Sequence, residues 1–93
     1  MSESAAKLIV TGRVQGVGYR WWAVGQAQRF GLRGWVRNRR DGTVEILAIG
    51  DAKDLDRLEA VCAQGPDGAH PDRVTREPAT PDGSTRFAQI ATV

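Results

Sequence analysis

The chain has 93 residues, of which 41% are hydrophobic and 26% charged, and its formal net charge is +2. The length predicts one domain over residues 1–93, and the small net charge argues against a general attraction to nucleic acid. No apolar run approaches the roughly 20 residues that span a bilayer, so no membrane partner is expected. Residues 1–6 predict a flexible terminus without a signal peptide. The single cysteine, Cys62, cannot form an internal disulfide, which suits a reducing compartment. We expect a cytoplasmic protein and a monomer.

The first predicted elements are a strand, a glycine-rich loop and a helix. β-Forming residues indicate a strand over 7–14, and the loop covers 15–19. A helix is expected from Arg20 to Phe30 because apolar residues recur there at helical spacing. The residues on that face are Tyr19, Ala23, Ala27 and Phe30.

A hairpin and a second helix are predicted next. The segments 32–38 and 43–49 read as strands joined by a turn at Asp41-Gly42. Asp51 is a suitable N-cap for the second helix, which is expected to end at Gly65-Pro66. The buried stripe of this helix is predicted to contain Leu55, Leu58, Val61 and Cys62.

The remaining residues predict a loop and two strands. Turn-forming residues dominate 65–72, and strands are expected near 73–78 and over 86–93. The order of elements is βαββαβ with a short addition, the α+β ferredoxin-like arrangement. Two helices are therefore expected on one face of an antiparallel sheet.

The loop after the first strand has two glycines followed by an arginine. It lacks the Gly-Lys-Ser/Thr ending of a Walker A loop, and Trp21 stands where the dinucleotide fingerprint requires glycine. A glycine turn at a helix start can still direct backbone N–H groups at an anion, and Arg20 adds a charged, planar fork. On spacing alone, an exposed arginine after an ordinary turn explains the pattern equally well.

Two longer motifs resemble the signatures of the acylphosphatases. They are G-x-V-Q-G-V-x-Y-R at 12–20, where the family more often has phenylalanine at Tyr19, and G-W-V-R-N-x-x-x-G-x-V-x-x-x-x-x-G at 34–50. Their order and separation agree with the family, as does the Gly65-Pro66 turn. The resemblance covers nearly the whole chain. Asp67 and the stretch 69–71 depart from the family pattern, which affects the expected path of that loop more than the activity.

The resemblance implies hydrolysis of acyl phosphates, such as acetyl phosphate, to a carboxylate and inorganic phosphate. It assigns phosphate binding to Arg20 and positioning of the attacking water to Asn38. The phosphate-binding loop consists of Gln15, Gly16, Val17, Gly18, Tyr19 and Arg20. The leaving carboxylate is a stable anion, so the reaction needs no general acid, and we expect neither a cofactor nor a metal.

A binding module is the main alternative, because ferredoxin-like domains include RNA binders and metal carriers. The segment 33–38 matches only the start of the aromatic motif of RNA-binding domains and lacks the rest of it. A metal carrier would need a second cysteine. A catalytically silent family member, or one that acts on carbamoyl phosphate for a larger partner, also remains open.

Other conspicuous residues receive ordinary interpretations. His70 is expected on the surface and Cys62 in the core as a structural thiol. Trp35 is predicted to be a core residue, and at least one of Trp21 and Trp22 must leave the buried face. The basic cluster, formed by Arg37, Arg39 and Arg40, is either simply solvated or steers anionic substrates.

Overall fold

The computed structural model describes residues 3–93. Five strands and two helices are found along these residues. They are β1 (Ser4–Arg13), α1 (Tyr19–Arg29), β2 (Arg33–Asn38), β3 (Val44–Gly50), α2 (Ala52–Gln64), β4 (His70–Pro78) and β5 (Phe87–Gln89).

The strands form one sheet in the order β4-β1-β3-β2-β5. The first four pair antiparallel, with β1 between β3 and β4 and with β2 against β3. This confirms the ferredoxin-like α+β prediction. β5 is the short addition, and it pairs parallel with β2, so the complete sheet is mixed.

Both ends of the chain differ from the sequence prediction. The flexible terminus predicted for 1–6 is wrong for residues 4–6, which pair with Gly50, Ile49 and Ala48 of β3. Residues 1 and 2 lie outside the described part of the chain. The last strand, predicted over 86–93, is only three residues long.

The strand β4 begins earlier than predicted, at His70. A bulge between Thr11 and Gly12 of β1 shifts the register, and this shift lets β1 continue its pairing as far as His70. The predicted loop over 65–72 is shortened accordingly.

The core lies between the sheet and the two helices. The α1 stripe of Tyr19, Ala23 and Ala27 is buried, and Phe30 packs partly against the core. The α2 stripe of Leu55, Leu58 and Cys62 is also buried, with Val61 partly buried beside it. Both predicted helical faces are thus confirmed, because each apolar stripe covers the sheet.

The prediction that Trp35 is a core residue is wrong. Val36 faces the core, so its neighbours Trp35 and Arg37 face the other side of the sheet. There the Arg37 guanidinium lies 4.5 Å from the Trp35 ring centroid, and the indole N–H donates to Asp82. Trp35 is therefore half-buried under a polar layer rather than packed by the helices.

Candidate active site

The loop between β1 and α1 turns through two glycines in the left-handed region. Gly16 has φ 75° and Gly18 has φ 78°. Residues with a Cβ are strained at such angles, so the path of this loop requires glycine at both positions. Gly18 is the N-cap residue of α1, and the carbonyl of Gly18 accepts the 3.0 Å hydrogen bond from Trp22 N–H that opens the helix.

The loop and the start of α1 present several free N–H groups. Within residues 3–93, no backbone N–H from 15 to 21 donates to a protein acceptor. The first turn of α1 contains no acidic side chain that would balance the positive end of the helix dipole. These two properties make the segment a cradle for an anion.

Arg20 lies at the edge of this cradle with its charge available. Its side chain is half-buried and lines the cavity formed by the loop. No carboxylate of residues 3–93 lies within 4.0 Å of its guanidinium, whereas Arg37 on the opposite sheet face contacts Glu45 at 2.7 Å. Arg20 can therefore bind the oxygens of a ligand without first releasing a protein partner.

Asn38 supplies an unsatisfied acceptor to the same cavity. It is the last residue of β2, and its Oδ1 is buried without a hydrogen bond from any described residue. A buried polar atom in this state costs about 1–3 kcal/mol, so such atoms usually mark a place where water or a ligand binds.

The cavity has a volume of about 120 Å³, enough for a small anion with water beside it. It brings together five of the seven site residues predicted from the sequence. These are Gly16, Gly18, Tyr19, Arg20 and Asn38.

The other two predicted residues, Gln15 and Val17, have side chains engaged elsewhere. The Gln15 amide donates to the carbonyl oxygens of Arg39 and Thr43, at 2.7 and 2.8 Å. These bonds tie the loop to the β2–β3 hairpin, close to the end of the strand that carries Asn38. Val17 packs against the core. Only the main chain of these two residues is left for an anion.

Tyr19 also contributes through its main chain. Its side chain is only 1% exposed, and its hydroxyl donates a 2.7 Å hydrogen bond to the carbonyl oxygen of Cys62. Burial, followed by the neighbouring Cys62, raises the pKa of this phenol above its ordinary value of 10.0. Tyr19 is thus a neutral anchor for the loop end.

Three residues of the cavity were not predicted as site residues, namely Trp21, Gln89 and the core residue Val14. Trp21 is 79% exposed, so of the adjacent pair it is Trp21 that leaves the buried face, whereas Trp22 packs partly against the core. Gln89 belongs to β5, and the parallel pairing places it opposite Val36. No local pattern signals Gln89, because its position depends on the return of the chain to β2.

The remaining candidates lie apart from the cavity. Burial raises the pKa of the Cys62 thiol to about 12, and His70 is exposed at the start of β4. Within the part of the chain that the structure describes, no three His, Cys, Asp or Glu side chains are grouped as metal ligands would be. No helix in residues 3–93 is long and apolar enough to cross a membrane.

The fold and the cavity define a small α+β domain in which a glycine-rich loop, an arginine without a carboxylate partner among residues 3–93 and a buried amide oxygen line one cavity. Comparison with known proteins identifies the family. The Acylphosphatase family model matches residues 6–89. An acylphosphatase of Nitrobacter hamburgensis is 40% identical over 99 aligned positions, covering 100% of both chains.

Solved structures agree with this match. The acylphosphatase from Bacillus subtilis superposes with a TM-score of 0.90 at 33% identity, covering 96% of this chain and 99% of that one. An acylphosphatase from Coxiella burnetii superposes with a TM-score of 0.91 at 30% identity, covering 95% of this chain and 93% of that one. The chain belongs to the acylphosphatase family, and it hydrolyses the carboxyl–phosphate bond of acyl phosphates.

Proposed function

We propose that Arg20 and Asn38 are the catalytic residues, and that the main chain of 15–20 binds the phosphoryl group of the substrate. One observation carries the proposal. A cation without a carboxylate partner and a buried amide oxygen without a donor, both judged within residues 3–93, line one cavity next to free N–H groups.

The loop and Arg20 hold the phosphoryl oxygens. Backbone N–H groups at the start of α1 point their positive ends at the anion, and the guanidinium donates two parallel hydrogen bonds. Negative charge on these oxygens persists into the transition state, so the same contacts serve binding and rate.

Asn38 positions the attacking water. Its Oδ1 accepts a hydrogen bond from the water, which satisfies the buried atom, and its amide N–H can donate to the same water or to a phosphoryl oxygen. Orientation of a nucleophile in this way lowers the barrier by replacing a random encounter with a fixed geometry.

The chemical step then needs no acid from the protein. The water oxygen bonds to phosphorus while the bond between phosphorus and the acyl oxygen breaks. The acyl group leaves as a carboxylate, whose conjugate acid has a pKa of about 4, so it departs unprotonated. The proton of the water passes to a phosphoryl oxygen, and the products are carboxylate and inorganic phosphate.

We also propose that the reaction is independent of metal ions and cofactors. The charge that builds on phosphorus is met by Arg20 and by backbone dipoles, which replaces the role that a divalent ion has in other phosphoryl transfers.

Substitutions at the two residues test the assignment. Arg20→Ala should weaken inorganic phosphate binding and turnover together. Arg20→Lys should restore little of either, because lysine lacks the planar fork of the guanidinium. Asn38→Ala should bind phosphate almost like the wild type but turn over at least about a hundredfold more slowly. Asn38→Asp should also fail, because a carboxylate cannot donate and repels the substrate.

Phosphate affinity by calorimetry and initial rates on acetyl phosphate decide between the outcomes. The assignment is wrong if Asn38→Ala keeps full activity. It is also wrong if Asn38→Ala loses phosphate affinity as severely as Arg20→Ala.

We further propose a single-domain, cytoplasmic monomer that has no nucleic-acid partner. Trp21, Ile90 and Val93 are the large hydrophobic side chains exposed among residues 3–93, which is little for an obligate interface. The free thiol of Cys62 suits a reducing compartment, and the net charge of +2 is too small to hold a polyanion. Sedimentation of the purified protein tests the monomer.

A further inference from the structure

The amide side chain of Gln89 lines the active-site cavity but takes no part in the chemical steps proposed above. Its side chain is exposed at the end of β5. Among residues 3–93 no protein group is hydrogen-bonded to this amide, whereas the Gln15 amide has two carbonyl partners. An amide offers two N–H donors and one oxygen acceptor. All of them are available at Gln89 to a substrate or to a water molecule.

Gln89 and Asn38 lie on the same face of the sheet. Gln89 pairs with Val36, whose side chain belongs to the core between the sheet and the helices. Asn38 follows Val36 by two residues, so the alternation of β2 turns it to the helix side as well. Gln89 likewise follows the buried Phe87 by two residues. Diagonal neighbours on one sheet face have Cα atoms roughly 7–8 Å apart, within reach of two amides with a water between them.

The main chain on both sides of Gln89 is fixed to β2. The N–H of Ile90 donates a 2.9 Å hydrogen bond to the carbonyl oxygen of Val36, and the N–H of Gly34 donates a 3.0 Å hydrogen bond to the carbonyl oxygen of Arg86. The backbone therefore presents the Gln89 amide to the cavity from a fixed point. Only the torsions of its side chain remain to be ordered by a ligand.

An attacking water has two hydrogens and two lone pairs, and each must have a direction. One lone pair forms the bond to phosphorus, and one hydrogen passes to a phosphoryl oxygen. The Asn38 Oδ1 accepts the other hydrogen, which leaves one lone pair without a donor. A water with a single contact can rotate about it, whereas a second contact fixes the direction of the attacking lone pair.

We propose that Gln89 is a further catalytic residue, whose amide N–H donates a hydrogen bond to the attacking water. This inference rests on the role proposed above for Asn38. The water then gives one hydrogen to Asn38 and accepts from Gln89, so its remaining hydrogen and lone pair both face the phosphoryl group. The lone pair bonds to phosphorus as the bond to the acyl oxygen breaks, and the hydrogen passes to a phosphoryl oxygen. The amide is neutral and does not repel the anionic substrate.

Gln89→Leu tests the donor, because it keeps a side chain of similar size without an N–H group. The kcat for acetyl phosphate should fall by about tenfold, the effect of one hydrogen bond of ordinary strength. The inhibition constant of inorganic phosphate should be unchanged, since the loop and Arg20 bind that anion. Gln64→Leu makes the same change at the exposed end of α2 and should keep the wild-type kcat.

Gln89→Glu adds a dependence on pH that a purely structural role would not produce. The carboxylate cannot donate and repels the substrate, but the protonated acid has an O–H donor. The ordinary pKa of a glutamic acid is about 4.3. The ratio of the kcat of Gln89→Glu to that of the wild type should therefore rise as the pH falls toward 4. A ratio that is constant with pH would contradict the donor role.

The double variant of Asn38→Ala and Gln89→Leu tests whether both residues hold the same water. Once Asn38 is lost, the water is no longer fixed, so Gln89→Leu should cost much less than tenfold in that background. A full tenfold loss in both backgrounds, or a wild-type kcat in Gln89→Leu, would overturn the role of Gln89 and leave Arg20 and Asn38 in place. Equal losses of kcat and phosphate affinity in Gln89→Leu would assign it to the phosphoryl group and also overturn the proposal. Failure of the catalytic assignment itself is seen in the single variants of Arg20 and Asn38.

Discussion

The hydroxyl of Tyr19 donates a 2.7 Å hydrogen bond to the backbone carbonyl oxygen of Cys62, joining the start of α1 to the end of α2. In a continuing helix this carbonyl would accept from the N–H of residue 66. Residue 66 is a proline and has no N–H, so the tyrosine supplies the missing donor. The residue that closes the phosphate loop thus also satisfies the last turn of the other helix.

Tyr19→Phe should therefore destabilise the fold. The variant keeps the ring but leaves the Cys62 carbonyl buried without its donor, which costs about 1–2 kcal/mol. For a domain of this size each kcal/mol corresponds to roughly 4–8 °C in Tm. Calorimetry checks this value, and an unchanged Tm would mean that water replaces the phenol without loss.

Cys62→Ser should leave turnover unchanged and lower stability. The thiol is fully buried, and burial raises its pKa to about 12, so it is neutral near pH 7 and cannot act as a nucleophile. A serine hydroxyl in the same apolar site costs about 1–3 kcal/mol. Reaction of the native protein with a thiol reagent should be slow and become fast in denaturant. Inactivation of a folded Cys62→Ser variant would instead indicate covalent catalysis.

Gln15→Ala should impair catalysis although the Gln15 side chain does not line the cavity. Its two hydrogen bonds to the β2–β3 hairpin fix the distance between the loop and Asn38. Loss of both bonds should lower kcat by about tenfold to a hundredfold, since small misplacements of reacting groups are costly. Gln64→Ala, at the exposed end of α2, is the matched control. Wild-type kcat in Gln15→Ala would show that the loop holds its shape without this contact.

Glu45 lies on the face of the sheet away from the helices, and its ionisation makes the stability of the fold depend on pH. Burial alone would raise the pKa of this carboxyl, but the hydrogen bond and charge of Arg37, together with Lys7, lower it below its ordinary value of 4.5. A group whose pKa is lower in the folded state stabilises that state at pH values above the pKa that the group has in the unfolded chain. That stability is lost as the pH falls through the folded pKa.

Glu45→Gln should consequently cost about 1–3 kcal/mol at pH 7, and the cost should shrink as the pH falls through the lowered pKa of Glu45. Denaturant unfolding of both proteins across this range measures the difference. Glu77→Gln, at an exposed position of β4, should show no comparable pH dependence. A penalty at Glu45 that is constant with pH would attribute the loss to packing rather than to charge.

Chelation should not affect the rate. The proposed chemistry uses Arg20 and backbone N–H groups for the phosphoryl charge, so acetyl phosphate hydrolysis should be equal with and without EDTA. A loss of activity that a divalent ion restores would contradict the metal-free mechanism.

Local patterns in the sequence determined the elements and much of the site. The helical spacing of Tyr19, Ala23 and Ala27 predicted the buried face of α1, and the glycines before Arg20 predicted the turn that opens it. A helix face and a glycine turn are determined by residues close together in the sequence, and a periodic pattern of side chains reports structure over that short range. The resemblance of the two motifs added the roles expected of Arg20 and Asn38.

Tertiary structure decided where Gln89, Gln15 and Trp35 place their side chains. Gln89 reaches it because β5 returns parallel to β2, and Gln15 turns away because the hairpin offers it two carbonyl oxygens. Trp35 has an apolar side chain suited to a core, yet the alternation of β2 places it on the face opposite the helices. Each outcome depends on contacts between residues far apart in the chain, and no local pattern of hydrophobicity or charge specifies those partners.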